Sequence, residues 1–232
     1  EPVGSVLPEA LLAELVAARA TRRAVAYVTA AEAGAEAGGG RLVEAAEAAA
    51  AGLDPEMLAA RFRADRSGLE GDRFIAIHNP PLRLIVVGAV HIAQPLVAMA
   101  RTCGYDPLIV DPREAFASAA RFPGEVIRHD WPDEALAAIG LDARCAVVTL
   151  THDPKLDDPA IRAALAAPVF YLGCLGSTRT HAKRLARLTE AGLAPADLGR
   201  IHAPVGLDIG AQSPAEIAVA VMAEITRVLR RG

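Results

Sequence analysis

From residue 83 onward the chain is built of short apolar runs, each followed by a turn and a helix-length segment. The runs are Leu84-Ile85-Val86-Val87, Leu108-Ile109-Val110, residues 146–150 and residues 169–172. A strand with one wet face alternates apolar and polar residues, so uninterrupted runs like these require burial on both faces. Helical patterns fill the intervals at 89–103, 132–139, 159–166, 178–191 and 214–230, and a short strand fits 125–127. On the 178–191 helix, Lys183, Arg184 and Arg187 are expected on the exposed side. Strand–helix alternation with crossovers of this length predicts an α/β fold, a Rossmann-like doubly wound parallel sheet.

Residues 1–79 have a different texture. An apolar stripe of Leu11, Leu12, Leu15 and Val16 predicts a helix over 8–23. Strands fit 24–28 and 72–77, a second helix runs from Asp54-Pro55-Glu56 to Ala64, and 34–40 reads as a turn or mobile loop. His78-Asn79-Pro80-Pro81 then interrupts any ladder or helix, because paired prolines lack the backbone donor and fix φ. The expected division is a small α+β region at 1–79, the remnant of a larger domain, and a Rossmann-like domain at 80–232.

With 53% hydrophobic and 22% charged residues, the chain can bury a core. A net charge of −4 lacks the basic footprint of a nucleic-acid binder. No apolar run reaches the roughly 18 residues of a membrane span, and Glu1-Pro2-Val3-Gly4 does not open a signal peptide. Cys103, Cys145 and Cys174 are scattered singly, which fits buried thiols in a reducing cytoplasm better than disulfides or a zinc site.

Ligands of open parallel sheets collect beyond the carboxyl ends of the strands. At the first such end, Gly88-Ala89-Val90-His91-Ile92-Ala93 follows the dinucleotide pattern G-x-G-x-x-G/A, with Val90 at the second glycine. That glycine normally lets the backbone approach a pyrophosphate, so Val90 argues against one here. At the second end, Asp111 stands about 20 residues on, where an acid either receives ribose hydroxyls or caps the turn before Pro112, and Arg113 is suited to a phosphate. At the third, His152 is of a type suited to proton transfer, and Asp153 either orients it or caps a helix. No catalytic or metal-ligating residue is assigned.

The fourth end is the richest. Gly173 and Gly176 permit unusual backbone angles, and Ser177, Thr178, Arg179 and His181 stand where a helix begins with unpaired N–H groups. Hydroxyls, backbone donors and a guanidinium together suit an anion, with a purely structural helix cap as the alternative. A glycine-containing loop over 201–210 follows, with Asp208 as its acid, of the kind that either closes over ligands or simply connects elements.

The segments GCLGSTRTHAKRLARL and RIHAPVGLDIGAQSPAEIAVAVMAEI, with GAVHIAQPL, VDPREAFASAARFPG and TLTHD, resemble the carboxyl-terminal half of the XdhC/CoxI family. The likeness runs from about residue 80 to the end. It implies a Rossmann-like domain that binds molybdenum cofactor (molybdopterin), supports its sulfuration, and delivers it to the apo-enzyme of a molybdenum hydroxylase such as xanthine dehydrogenase. It also implies a homodimer, contact with a cysteine desulfurase, and a chaperone rather than an enzyme with its own turnover. Two departures stand out. The family's GAGH is GAVH at 88–91, and its amino-terminal glycine- and cysteine-rich stretch has no counterpart among residues 1–232. Glu1-Pro2-Val3 resembles the residues just after that stretch, which leaves a fragment, a split-gene member and a diverged member as open readings. Two other functions stay in view: an NAD(P)-dependent oxidoreductase, favoured by Asp111, and a ligand-free protein-interaction module.

Overall fold

A computed structural model of the chain describes residues 7–31 and 39–231. Most of the 34–40 loop expected above, and Glu1-Pro2-Val3, lie outside the described residues. The chain divides into two compact units, Glu1–Pro80 and Pro81–Gly232.

The first unit contains α1 (Glu9–Ala20), β1 (Val25–Ala30), β2 (Arg41–Val43), α2 (Pro55–Ala64), β3 (Gly68–Glu70) and β4 (Arg73–His78). Its strands form an antiparallel sheet in the order β2-β1-β4-β3. Ala26, Val28 and Ile75 of the sheet pack with Leu58 and Phe62 of α2. That helix starts where the Asp54 carboxylate accepts the Glu56 N–H, and it ends at Asp65, whose φ is 52°. β2 and β3 were not anticipated, since three residues are too few to display an alternation.

The second unit contains β5 (Leu82–Val87), α3 (Ala93–Thr102), β6 (Tyr105–Val110), β7 (Val126–Arg128), α4 (Pro132–Ile139), β8 (Cys145–Thr149) and α5 (Pro154–Leu165). It continues with β9 (Tyr171–Cys174), α6 (Thr178–Glu190), α7 (Pro195–Leu198), β10 (Ile201–His202) and α8 (Pro214–Arg231). All six strands are parallel, in the order β10-β9-β8-β5-β6-β7. The chain winds outward from β5 in one direction and from β8 in the other, so the switch point lies between them. Every residue of β5 and β8 is buried, as the apolar runs at 84–87 and 146–148 require, and Arg83 is buried with its guanidinium on the Ile139 and Gly140 carbonyls. Leu84, Val86 and Val148 face Leu96 of α3 and Ile225 of α8 on one side. Ile85, Val87 and Val147 face Leu136 of α4, Ile161 of α5 and Leu188 of α6 on the other.

Several element boundaries differ from expectation for local reasons. α3 begins at Ala93 rather than residue 89. Pro95 is tolerated in a first turn, but a start at 89 would bury it in the helix interior. α5 begins at Pro154, not Pro159, because Asp153 accepts the Lys155 N–H and Pro154 takes the first helical position. β6 extends back through Pro107, which β7 does not flank, so its missing donor breaks no ladder on that side. Residues 201–202, expected as loop, pair with β9.

Candidate functional site

The Gly88 turn is held from both sides. Gly88 has φ 112°, and an added Cβ would come within 2.7 Å of Thr151 Cγ2 and 3.2 Å of the Thr151 nitrogen. Only glycine allows this turn to lie against the turn after β8. The Ala89 N–H donates to Asp111 Oδ2 at 2.8 Å, and the Ala89 carbonyl accepts from Arg121 at 2.7 Å. Val90 packs partly into the core formed with α3 and α8, while His91 is exposed.

Asp111 is fully buried. Besides Ala89 it accepts the Arg113 N–H at 3.0 Å and the Arg113 guanidinium through both oxygens at 2.8 Å. Burial alone would push its carboxyl up, but Arg113 and the two backbone donors outweigh that and hold it below the usual carboxylate range. The expected ribose acceptor is therefore occupied as the organiser of its own turn. Arg113 remains about a third exposed and stacks its guanidinium over Phe116 at 4.4 Å.

The turn after β8 joins the two halves of the edge. Thr151, against Gly88 on one side, donates its hydroxyl to Asp157 Oδ1 at 2.7 Å on the other. His152 is exposed at φ 62° and Asp153 caps α5, the second of the two roles expected for that carboxylate. Burial pushes the Asp157 carboxyl up, with the Thr151 hydroxyl and Arg184 pulling the other way. Arg184 is only 2% exposed, which corrects its expected position on the outer side of α6. It lies one turn before buried Leu188 on the inner stripe of that helix. Its guanidinium donates to the Leu175 carbonyl at 2.9 Å and stands 3.9 Å from Asp157.

The β9–α6 connection carries the largest share of the expected residues. Gly173 lies inside β9 rather than in the turn, and an added Cβ there would collide with Val205 and Tyr171. Gly176 turns the chain at φ 134°, and Ser177 caps α6 by accepting the Thr180 N–H at 3.2 Å. The N–H groups of Thr178 and Arg179 have no partner among the described residues, and Ser177, Thr178 and Arg179 are exposed. His181 is partly buried, and burial and then Arg184 lower its pKa. Burial pushes the Cys174 thiol up to about 11, so it is a packing group rather than a nucleophile.

The loop between β10 and α8 is fastened to this edge. The Val205 N–H donates to the Cys174 carbonyl, and Leu207 N–H to the Ala220 carbonyl. Gly206, at φ 94°, has no room for a side chain against the backbone of Ala220 and Val221. Buried Glu224 of α8 accepts the Gly206 N–H at 2.9 Å, the Tyr171 hydroxyl at 2.7 Å and Arg227 at 3.1 Å. Asp208 is exposed on the loop beside exposed Ile209.

The structure thus brings Gly88, Asp111, Arg113 and the turn holding His152 together, and links them through Thr151 and Asp157 to the segment 173–181. Sequence reasoning missed Arg121, Asp157, Arg184 and Glu224. The spacing of Arg184 and Leu188, one helical turn apart, was the available signal for the third. A groove of about 580 Å³ between α5 and α6 is lined by none of the expected residues. Among the described residues no cluster of metal-ligating side chains occurs, and no helix is long and apolar enough to cross a membrane.

Comparison with known proteins places this edge in a family. The molybdenum cofactor insertion chaperone PaoD of Escherichia coli (strain K12) is 34% identical over 163 residues, covering 70% of this chain and 45% of PaoD. A probable xanthine dehydrogenase subunit of Bacillus subtilis (strain 168) is 33% identical over 159 residues, 68% of this chain and 46% of that protein. The uncharacterized protein YqeB of Escherichia coli (strain K12) is 32% identical over 155 residues, 67% and 29% respectively. The chain therefore spans less than half the length of each of these curated relatives. The crystal structure of a xanthine dehydrogenase from Bacillus halodurans shares the fold, with a TM-score of 0.67 and 24% identity over 95% of this chain and 64% of that one. Residues 84–225, from β5 into α8, match the XdhC Rossmann domain, and the chain belongs to the XdhC family.

Proposed function

We propose that this chain is an accessory factor that binds molybdenum cofactor as cargo and supports its sulfuration and insertion into a molybdenum hydroxylase. The observation that carries this reading is the 34% identity to PaoD, a molybdenum cofactor insertion chaperone, over 70% of the chain. The geometry is suited to the task. The cargo is a pterin with a terminal phosphate and a metal-bound dithiolene, so its carrier needs an anion grip, an apolar wall and a cover. The unpaired N–H groups of Thr178 and Arg179, with the exposed hydroxyls and guanidinium beside them, supply the grip. Val90 offers apolar contact where a pyrophosphate would otherwise pass, and the 203–213 loop supplies the cover. The proposed partners are the apo-hydroxylase and a cysteine desulfurase, with the chain acting as a homodimer in the cytoplasm. A nicotinamide role is disfavoured because Asp111 and the Ala89 N–H already bind each other.

The test is purification from cells that make the cofactor, followed by oxidation and pterin fluorescence. Pterin and molybdenum are expected to co-purify with the chain and to be depleted in the Arg179→Ala variant. Bound nicotinamide nucleotide with neither pterin nor molybdenum would overturn the reading.

A further inference from the structure

We infer that Arg184 is the buried cation of an anion site at the β9–α6 turn, and that this site takes a phosphate monoester dianion. The inference rests on the reading of that turn as the anion grip, though not on the identity of the cargo.

The guanidinium of Arg184 carries five N–H donors, and only the Leu175 carbonyl accepts one of them. Its Nε and Nη1 are buried without any hydrogen-bond partner. Asp157 does not satisfy them, since at 3.9 Å it lies outside hydrogen-bond reach and spends its other oxygen on Thr151. His181 Nδ1, one helical turn earlier on α6, is likewise buried and unpartnered. Helical side chains lean toward the amino terminus of their helix, and the bond to Leu175 fixes the Arg184 head at the turn that starts α6. A buried charge with unpaired donors is costly, and such groups are rare unless a ligand or water completes them. Here the partial positive charge of the α6 amino terminus adds to the same spot.

Asp157, at 3.9 Å, offsets part of the Arg184 charge, and the positive balance of this corner comes from the exposed side of α6. Arg187 is neutralised by Asp158 through two hydrogen bonds, whereas exposed Arg179 and Lys183 have no acidic partner among the described residues. A phosphate monoester near neutral pH carries a charge of about −1.5 to −2 and three strong acceptor oxygens. It matches the N–H groups of Thr178 and Arg179, the hydroxyls beside them and the charge of Arg184. A dinucleotide carries its phosphates as diesters and would have to continue across the Gly88 turn. There the Ala89 N–H is already given to Asp111, and Thr151 closes against Gly88.

The test is calorimetric titration of the full chain with inorganic phosphate, and separately with NAD as the diester probe. Wild type is expected to bind phosphate saturably and NAD at least tenfold more weakly. Arg184→Lys, which keeps the charge and loses the fixed guanidinium, should weaken phosphate at least tenfold. Equal phosphate affinity in the two proteins, NAD binding as tight as phosphate, or no saturable phosphate binding by wild type would each overturn the inference. If Arg184→Lys fails to fold, arginine Nε resonances of the wild type decide instead. A slowly exchanging signal that moves as phosphate is added supports the site, and a spectrum unchanged at saturation overturns it. Pterin content is scored separately. Phosphate binding that depends on Arg184, in a protein that never carries pterin, keeps the site and removes the cargo reading. Full pterin content with phosphate binding indifferent to Arg184 does the reverse.

Discussion

Asp111 illustrates how a single side chain changes meaning once its partners are known. Its type and its position after the second strand of the Rossmann-like unit mark a ribose acceptor, yet both oxygens are filled by Ala89 and Arg113. Sequence shows that an arginine follows two residues later but not which way the guanidinium folds. Removing one member of a buried pair costs roughly 3–5 kcal/mol, and the partial exposure of Arg113 reduces that, so Asp111→Asn should lower stability by about 2 kcal/mol. Urea unfolding at neutral pH measures this. The folded carboxyl titrates below its unfolded value of about 4, so its stabilisation is complete above that value. It is lost as the pH falls through the lower, folded value. Wild type and variant should therefore converge in strongly acidic urea titrations, and a gap that stays constant with pH would refute the charge-based account. Arg184 teaches the opposite lesson, because a residue type that usually marks a surface sits on an inner stripe. Only its one-turn spacing to Leu188 betrayed it.

At the scale of elements, long periodic segments were legible and short or tertiary ones were not. α4 and the amino-terminal limits of α6 and α8 followed from proline, cap and stripe, signals that reside within a few residues. β10 is two residues long and exists because it pairs with β9, information that no local pattern carries. The loop after it was legible as a loop, but its anchor was not, since Glu224 lies on α8 and acts through Tyr171 and Gly206. Burial and then Glu224 raise the Tyr171 hydroxyl pKa well above its ordinary value, so tyrosine remains the donor of that bond. Glu224→Gln keeps the size and removes the charge from hydrogen bonds to Tyr171, Gly206 and Arg227. The expected loss is about 2 kcal/mol in chemical unfolding, because a hydrogen bond to a charged group exceeds a neutral one by roughly 1 kcal/mol and the bonds from Tyr171 and Gly206 are both affected. Hydrogen exchange gives the more specific readout. The Val205, Gly206 and Leu207 amides should lose protection ahead of β5 and β8, and uniform loss across the sheet would show that Glu224 does not act through the loop.

On the scale of the whole molecule, the question is which part is needed for the proposed site. Every expected ligand-contacting residue lies beyond residue 80, as does every residue of the two clusters that cover the faces of the parallel sheet. The first unit has a separate core around Ala26, Leu58 and Ile75. A sheet whose central strands β5 and β8 are buried on both faces by its own helices holds the apolar area that a domain of this size needs to fold alone. The Gly88 and Thr151 turns are locked by contacts drawn from the same unit, as is the Glu224 anchor of the loop between β10 and α8. We therefore expect residues 81–232, produced alone, to unfold in one cooperative transition and to bind inorganic phosphate within about twofold of the full chain. Circular dichroism during urea unfolding reports the first property and calorimetry the second. A fragment that folds cooperatively but has lost phosphate binding would show that residues 1–80 contribute to the site. A fragment without a cooperative transition would show that the parallel sheet depends on the first unit for its stability, and the division at Pro80 would then mark compactness without independence.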